Sequence, residues 1–209
     1  MPSSLHNTAH SVEDSLEVVS KLAKLHGITR SADVTDFSPI RLPVWISLRP
    51  NAKCLSQSSG KGLCSIGSQI SSIMEGIEVS VSENLDSINS ELYTLEEIRH
   101  TNLNFLNIDE YPLHPCIHNK QELAWHVGKR LYCDEPWMIP AEMLSLDFTM
   151  NNAKGQAPRT FRTTSNGLAS GRTKTEAIVS ALLETIERHS VTLNNKILGN
   201  YTRLEIGKN

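Results

Sequence analysis

Two pairs of glutamates three residues apart, Glu75/Glu78 and Glu184/Glu187, are the residues of this chain best suited to chemistry. On a helix, that spacing sends both carboxylates out of one side. One such pair is ordinarily a solvated helix face. Here the pattern recurs at an offset of 109 residues, 184 minus 75, and the match extends beyond the acids. Gly62 meets Gly171, Ser71 meets Ser180, and Ile77 meets Ile186, making five identities in seventeen aligned positions. An internal duplication predicts two similar strand-loop-helix units. If the four carboxylates share one pocket they need cations, and Mg²⁺ bridging to phosphate oxygens is the usual solution.

The elements that must position these acids follow from periodicity. In SNGLASGRTKTEAIVSALLETIERHS, Ser165 to Ser190, the residues Ala177, Ile178, Ala181, Leu182, Thr185 and Ile186 keep helical spacing. Thr173 or Thr175 is the candidate N-cap, and Glu176 would complete a capping box with the first. Upstream, Ile66 to Glu83 predicts a helix with Ile70, Ile73, Met74, Ile77 and Val81 on its apolar face. The segment SQSSGKG, Ser56 to Gly62, is expected as a small-residue loop before that helix. There, backbone N–H groups and the Lys61 ammonium could meet an anion. It is no Walker A sequence, because G-x-x-x-x-G-K-[ST] is absent.

Other elements are expected as follows. An amphipathic helix over 13–26 stops at Gly27, and strands over 28–34 and 42–48 flank a turn at Asp36 to Pro39. A charged helix or loop over 84–107 runs into a short strand. Strands are also expected over 122–127, with Trp125 in the core, and over 141–149 after a turn at 134–140. The fold class is α/β: a mixed sheet with helices, repeat unit one at about 28–84 and repeat unit two at about 122–190, in one domain of 209 residues. Composition suits a soluble protein, with 39% hydrophobic and 21% charged residues. A net charge of −3 and a pI near 6.2 leave no basic footprint for nucleic acid. No apolar run reaches membrane-helix length and no signal-peptide core opens the chain, so the cytoplasm is expected. Cys54, Cys64, Cys116 and Cys133 contain no C-x-x-C pair and are expected reduced. His114, Cys116 and His118 lack a suitably spaced fourth ligand, which argues against zinc there.

The run from Ser56 to Glu83 and the later SNGLASG…EAIVSALLETIER resemble the two signature segments of the YcaO superfamily. Gly27 to Ala52 is similar to the opening of its nucleotide domain. The resemblance implies ATP and Mg²⁺ as cofactors and activation of a peptide backbone amide by phosphorylation of its oxygen. The products would be azolines or thioamides in the biosynthesis of modified ribosomal peptides. Matched residue by residue, it assigns Glu75, Glu78, Glu184 and Glu187 to Mg²⁺, and Ser71, Ser180, Arg188, Ser58, Lys61 and Asn166 to the nucleotide. The family often carries Asn or another polar side chain one turn before the second pair, where this chain has Ser180 and Ala181. No catalytic residue is assigned.

The implied partners are a peptide or protein substrate and a TfuA-like or E1/ThiF-like protein, with a homo-oligomer as a further arrangement and no nucleic acid or membrane. Family members usually continue well beyond the second Glu helix, whereas this sequence stops about twenty residues after Glu187. The expectation is therefore a YcaO-like domain incomplete at its C-terminus. It is either an active enzyme, completed by a partner or a second copy where needed, or an inactive nucleotide- or peptide-binding form acting through a partner.

Overall fold

The computed structural model describes residues 12–37, 39–85, 88–108, 120–149, 161 and 163–194. The chain divides into two compact units, Met1–Thr164 and Ser165–Asn209.

The first unit opens with helix α1, Val12–Leu25. It buries Val19 and Ala23, while Val18 and Leu25 stay in solvent, so only part of the expected apolar stripe is used. Gly27 ends the helix at φ 72°, a left-handed conformation that glycine adopts without steric cost. Strands β1 (Arg30–Asp33), β2 (Val44–Leu48) and β3 (Gln57–Lys61) form an antiparallel sheet in that order, and helix α2, Ser65–Ser82, follows. Ile73 and Ile77 of α2 join Val19, Ala23 and Ile28 in one core, with Leu16, Ile70 and Met74 around it.

The expected loop at 56–62 is instead largely strand β3. Its burial alternates, with Ser58 and Gly60 turned in and Gln57, Ser59 and Lys61 turned out. Small side chains are what this position requires. A Cβ on Gly60 would lie 2.1 Å from the Ser68 carbonyl oxygen and 2.2 Å from the Ser72 nitrogen. Backbone approach that close outweighs the low strand propensity of Ser and Gly.

A second antiparallel sheet of the same unit contains β4 (Ser90–Thr94), β5 (Glu122–Lys129) and β6 (Pro136–Pro140), again in sequence order. Helix α3, Leu95–Arg99, follows β4 directly, its Thr94 and Glu97 forming a reciprocal capping box. Trp125 is fully buried among Leu95, Ile98, Ile108, Leu123, Met138 and Phe161, as expected of a core residue. Its indole N–H donates to the Tyr93 carbonyl at 3.1 Å.

The expected turn at 134–140 and strand at 141–149 are both overturned, because the strand is Pro136–Pro140 and Ala141–Leu144 is the short helix α4. Strand β6 lies at the sheet edge, where proline is tolerated, and Ala-Glu-Met-Leu favours helix. The segment after α4 bonds to the end of α2 and to the β2–β3 loop: Leu146 N–H donates to the Ser82 carbonyl and Phe148 N–H to that of Lys53.

The second unit contains helix α5, Lys174–Leu193, in which no residue is buried. Among the described residues no helix is long and apolar enough to cross a membrane. Cys54, Cys64 and Cys133 are free thiols, and the H-x-C-x-H triplet lies outside the described residues.

Candidate functional site

The two glutamate-bearing helices start in the same register. Cys64 is the N-cap of α2 and Thr173 that of α5, separated by the 109 residues that also separate Glu75 from Glu184. Both caps have extended backbone, but only Thr173 uses its side chain, accepting from the Glu176 N–H at 3.2 Å. The expected capping box is half made, since the Glu176 carboxylate accepts instead from the Arg172 N–H at 2.7 Å. Just before each helix, the chain passes its first turn on a glycine. A Cβ on Gly62 would sit 3.1 Å from Ser68 Oγ, and one on Gly171 would sit 2.5 Å from the Ala177 nitrogen.

In the first unit, Ser71, Glu75 and Glu78 fall at i, i+4 and i+7 of α2, hence on one face, with Ser71 and Glu75 exposed and Glu78 half-buried. The sheet side of the helix is taken by Ser68, Ser72, Gly76 and Ser80. Glu75 Oε2 accepts from the Ser59 N–H at 2.9 Å, so strand β3 restrains the carboxylate. Lys61 is exposed on the same outward side of β3 as Ser59. Ser58 turns the other way: it is buried, and a Cβ on Gly76 would lie 2.8 Å from its hydroxyl. The anion-binding loop expected from Ser58 and Lys61 is therefore a strand that presents Lys61 outward and Ser58 to the helix.

The lower end of α2 is held by ions that the sequence reading missed. Arg49 and Glu83 are both buried and paired, and Arg49 also donates to the Gly76 carbonyl at 3.1 Å and the His26 carbonyl at 3.2 Å. Glu83 Oε1 accepts from the Cys54 N–H at 2.9 Å. Nearby, Lys53 reaches Asp147 at 2.8 Å. Burial pushes the Asp147 carboxyl up, but hydrogen bonds from Lys53 and Thr149 and the Lys53 charge outweigh it, leaving it below the usual carboxylate range. Arg49 and Glu83 are 34 residues apart, so no local pattern announces the pair.

In the second unit a cavity of about 440 Å³ is lined by Asn166, Glu184, Glu187, Arg188, Val191 and Thr192. Four of these were expected to act together. Val191 and Thr192 were not, although their helical spacing from Glu184, Glu187 and Arg188 was the available signal. Glu184 Oε1 accepts from Arg188 Nε at 2.7 Å, an i,i+4 pair in which neither side chain is fully buried. Ser180, one turn before Glu184, does not line the cavity.

Among the described residues no cluster of three or more His, Cys, Asp or Glu side chains could hold a metal. Each unit instead offers two carboxylates on one helical face. That donor set suits Mg²⁺, a hard cation commonly held by one or two carboxylates plus substrate phosphates and water.

The model of the family "YcaO cyclodehydratase, ATP- and Mg²⁺-binding" matches residues 59–206. Relatives include an uncharacterized protein in the tfuA 3′ region of Rhizobium leguminosarum bv. trifolii, 28% identical over 168 residues, covering 80% of this chain and 39% of the relative. An uncharacterized protein of Methanothermobacter thermautotrophicus is 28% identical over 191 residues, covering 90% and 48% respectively. The chain thus spans less than half the length of these relatives. Similar folds include YcaO from Methanopyrus kandleri bound with AMPPCP and Mg²⁺, with TM-score 0.64, 23% identity, and 90% of this chain and 45% of that one covered. A heterocyclase in complex with substrate and cofactor aligns with TM-score 0.70 at 17% identity over 91% and 29% of the two chains.

Proposed function

This chain belongs to the YcaO family, and from that premise we propose that it binds ATP with Mg²⁺ and serves in activating a backbone amide of a peptide or protein substrate. In such a reaction a thiol, hydroxyl or sulfide adds to the amide carbon. The amide oxygen takes the γ-phosphoryl group, ADP departs, and phosphate then leaves with that oxygen, giving an azoline or a thioamide. Phosphoryl transfer of this kind relies mostly on positioning and charge neutralisation. Bound Mg²⁺ supplies part of that neutralisation.

The residues of this chain divide the remaining work. Glu75 and Glu78 on α2, and Glu184 and Glu187 on α5, would each serve as carboxylate ligands for Mg²⁺, and Ser59 pre-positions Glu75 through its N–H. Lys61 and Arg188 supply positive charge to the phosphates, Arg188 exchanging its present partner Glu184 for a phosphate oxygen. Ser71, Ser180 and Asn166 contribute hydroxyl and amide hydrogen bonds to the nucleotide, while Ser58 is buried with its hydroxyl against Gly76 of α2. A peptide substrate accords with the substrate-bound heterocyclase among the similar folds. The relative from the tfuA 3′ region favours a TfuA-like partner and a thioamide product.

The observation that carries this reading is the repeated Ser-x-x-x-Glu-x-x-Glu face, begun at the same distance from two N-caps. Calorimetry of the chain with AMPPCP, with and without Mg²⁺, tests it. Mg²⁺-dependent binding is expected, weakened at least about tenfold by Glu75→Ala or Glu184→Ala, as loss of a charged ligand implies. Unchanged affinity in both variants would show the metal assignment to be wrong. The alternative is a chain that binds nucleotide or peptide without turnover and acts through a partner. Production of ADP in the presence of a modifiable peptide would eliminate it.

A further inference from the structure

One buried cation joins three elements at the middle of α2. Arg49 follows β2 directly and is itself buried. Its guanidinium spreads three ways: Nε donates to the His26 carbonyl just past α1 at 3.2 Å, Nη1 to the Gly76 carbonyl of α2 at 3.1 Å, and Nη2 to the Glu83 carboxylate. The bond to Gly76 is not needed to build the helix, since a carbonyl inside α2 already accepts from the N–H four residues on. It ties the helix to the end of β2 at one point on its circumference. Gly76 lies directly after Glu75 and two residues before Glu78. A Cβ there would sit 2.8 Å from Ser58 Oγ and 3.1 Å from Ile28 Cδ1, so α2 touches β3 at this residue and has little room to roll.

The carboxylates of a helix stand about 5–6 Å from its axis, so a roll of about 10° carries them about 1 Å. Mg²⁺ demands near-ideal octahedral geometry at about 2.0–2.1 Å and is sensitive to such a displacement, whereas Ca²⁺ accepts about 2.3–2.6 Å and a variable coordination shell. We propose that Arg49 is a positioning residue for the carboxylate pair of α2: by holding the Gly76 carbonyl it fixes the roll of the helix and keeps Glu75 and Glu78 at the placement Mg²⁺ requires. The Ser59 N–H restrains Glu75 alone, from the strand side. Arg49 acts on the backbone between the two acids and so on both. This role rests on Glu75 and Glu78 holding Mg²⁺, and adds to that reading the side chain that orients them.

Calorimetry of the full chain with AMPPCP, run in Mg²⁺ and separately in Ca²⁺, tests this through the ratio of the two affinities. Arg49→Lys keeps a positive charge against Glu83 but lacks the planar fork that reaches three acceptors at once. Its Mg²⁺-supported affinity should fall at least about tenfold and its Ca²⁺-supported affinity less than about threefold, because only the stricter ion feels the roll. Trp125→Phe removes the indole bond to the Tyr93 carbonyl, in a core that shares no residue with that of α2. It should lower stability and leave the ratio at its wild-type value. Hydrogen exchange along α2 reports whether Arg49→Lys folds. Where it does not, Arg49→Met/Glu83→Met removes both buried charges together and carries the same expectation. Absence of Mg²⁺-dependent binding by the unaltered chain would overturn the metal assignment and this role with it. Binding by the unaltered chain with a ratio that the Arg49 variant leaves unchanged, whether neither affinity falls or both fall together, would overturn the positioning role alone. So would a shift of the ratio by Trp125→Phe as large as that by Arg49→Lys, since the ratio would then follow stability.

Discussion

Helices α2 and α5 carry the same serine and glutamate pattern from the same distance after their caps, yet one is embedded and the other exposed. On α2, the sheet fixes what the acids can do: Ser59 of β3 donates to Glu75, and the far end is clamped by Arg49 and Glu83. On α5, Glu184 accepts from Arg188, one turn along the same helix. Helical geometry alone is enough to bring Ser, Glu and Glu to one face. Holding those groups against thermal motion is a separate task, done by a layer that the sequence pattern of the helix does not encode.

The sharpest way to test that difference is to remove a tertiary clamp and a local pair in parallel. Glu83→Ala leaves the Arg49 guanidinium buried without its carboxylate, and its expected cost is about 3–5 kcal/mol, read by urea denaturation and by faster exchange in α2. Glu184→Ala, which breaks an i,i+4 pair on a helix without buried residues, should cost no more than about 0.5 kcal/mol. Comparable losses would mean that α5 is as firmly embedded as α2, and the contrast would fail.

A smaller effect separates the segments that lead into the two helices. Gly60 has no room for a methyl group against the backbone of α2, so Gly60→Ala should destabilise by about 1–3 kcal/mol through overpacking. The position 109 residues later is already Ala169. Ala169→Gly should therefore shift stability by less than about 1 kcal/mol, mainly through backbone entropy in the unfolded chain. A large loss in that variant would show that the segment before α5 is tightly packed as well.

These contrasts also mark what the sequence could and could not disclose. Both glutamate helices, the Gly27 stop and the burial of Trp125 were legible because each rests on local periodicity or on one residue's chemistry. Strand β3 was not, because Ser-Ser-Gly-Lys looks like a loop until α2 is packed against Gly60. The exchange of turn and strand around Pro140 has the same origin, since only an edge position makes a strand bounded by two prolines acceptable. Val81 shows the opposite error. It fits the apolar stripe of α2 by spacing, but lies 50% exposed near the end of the helix. The Arg49–Glu83 clamp depends on three-dimensional proximity across 34 residues, for which neither residue type nor spacing gives a sign.

The finest contrast lies at the caps themselves. Thr173 has its side chain engaged and Cys64 does not, although both residues have the extended backbone of an N-cap. Thr173→Ala should therefore cost about 1 kcal/mol of helix stability, seen as faster exchange in the first turn of α5. Cys64→Ser should act in the opposite sense. A hydroxyl there can accept from the N–H of Gly67, the counterpart of Glu176, and should stabilise α2 by about 0.5–1 kcal/mol. Cys64 is exposed, so the exchange of sulfur for oxygen sacrifices no core packing. If Cys64→Ser leaves the first turn of α2 unchanged, the cap is not what limits that end of the helix. The close passage of β3 over Ser68 and Ser72 would then be sufficient to hold it, and the two helices would differ in how they begin as well as in what covers them.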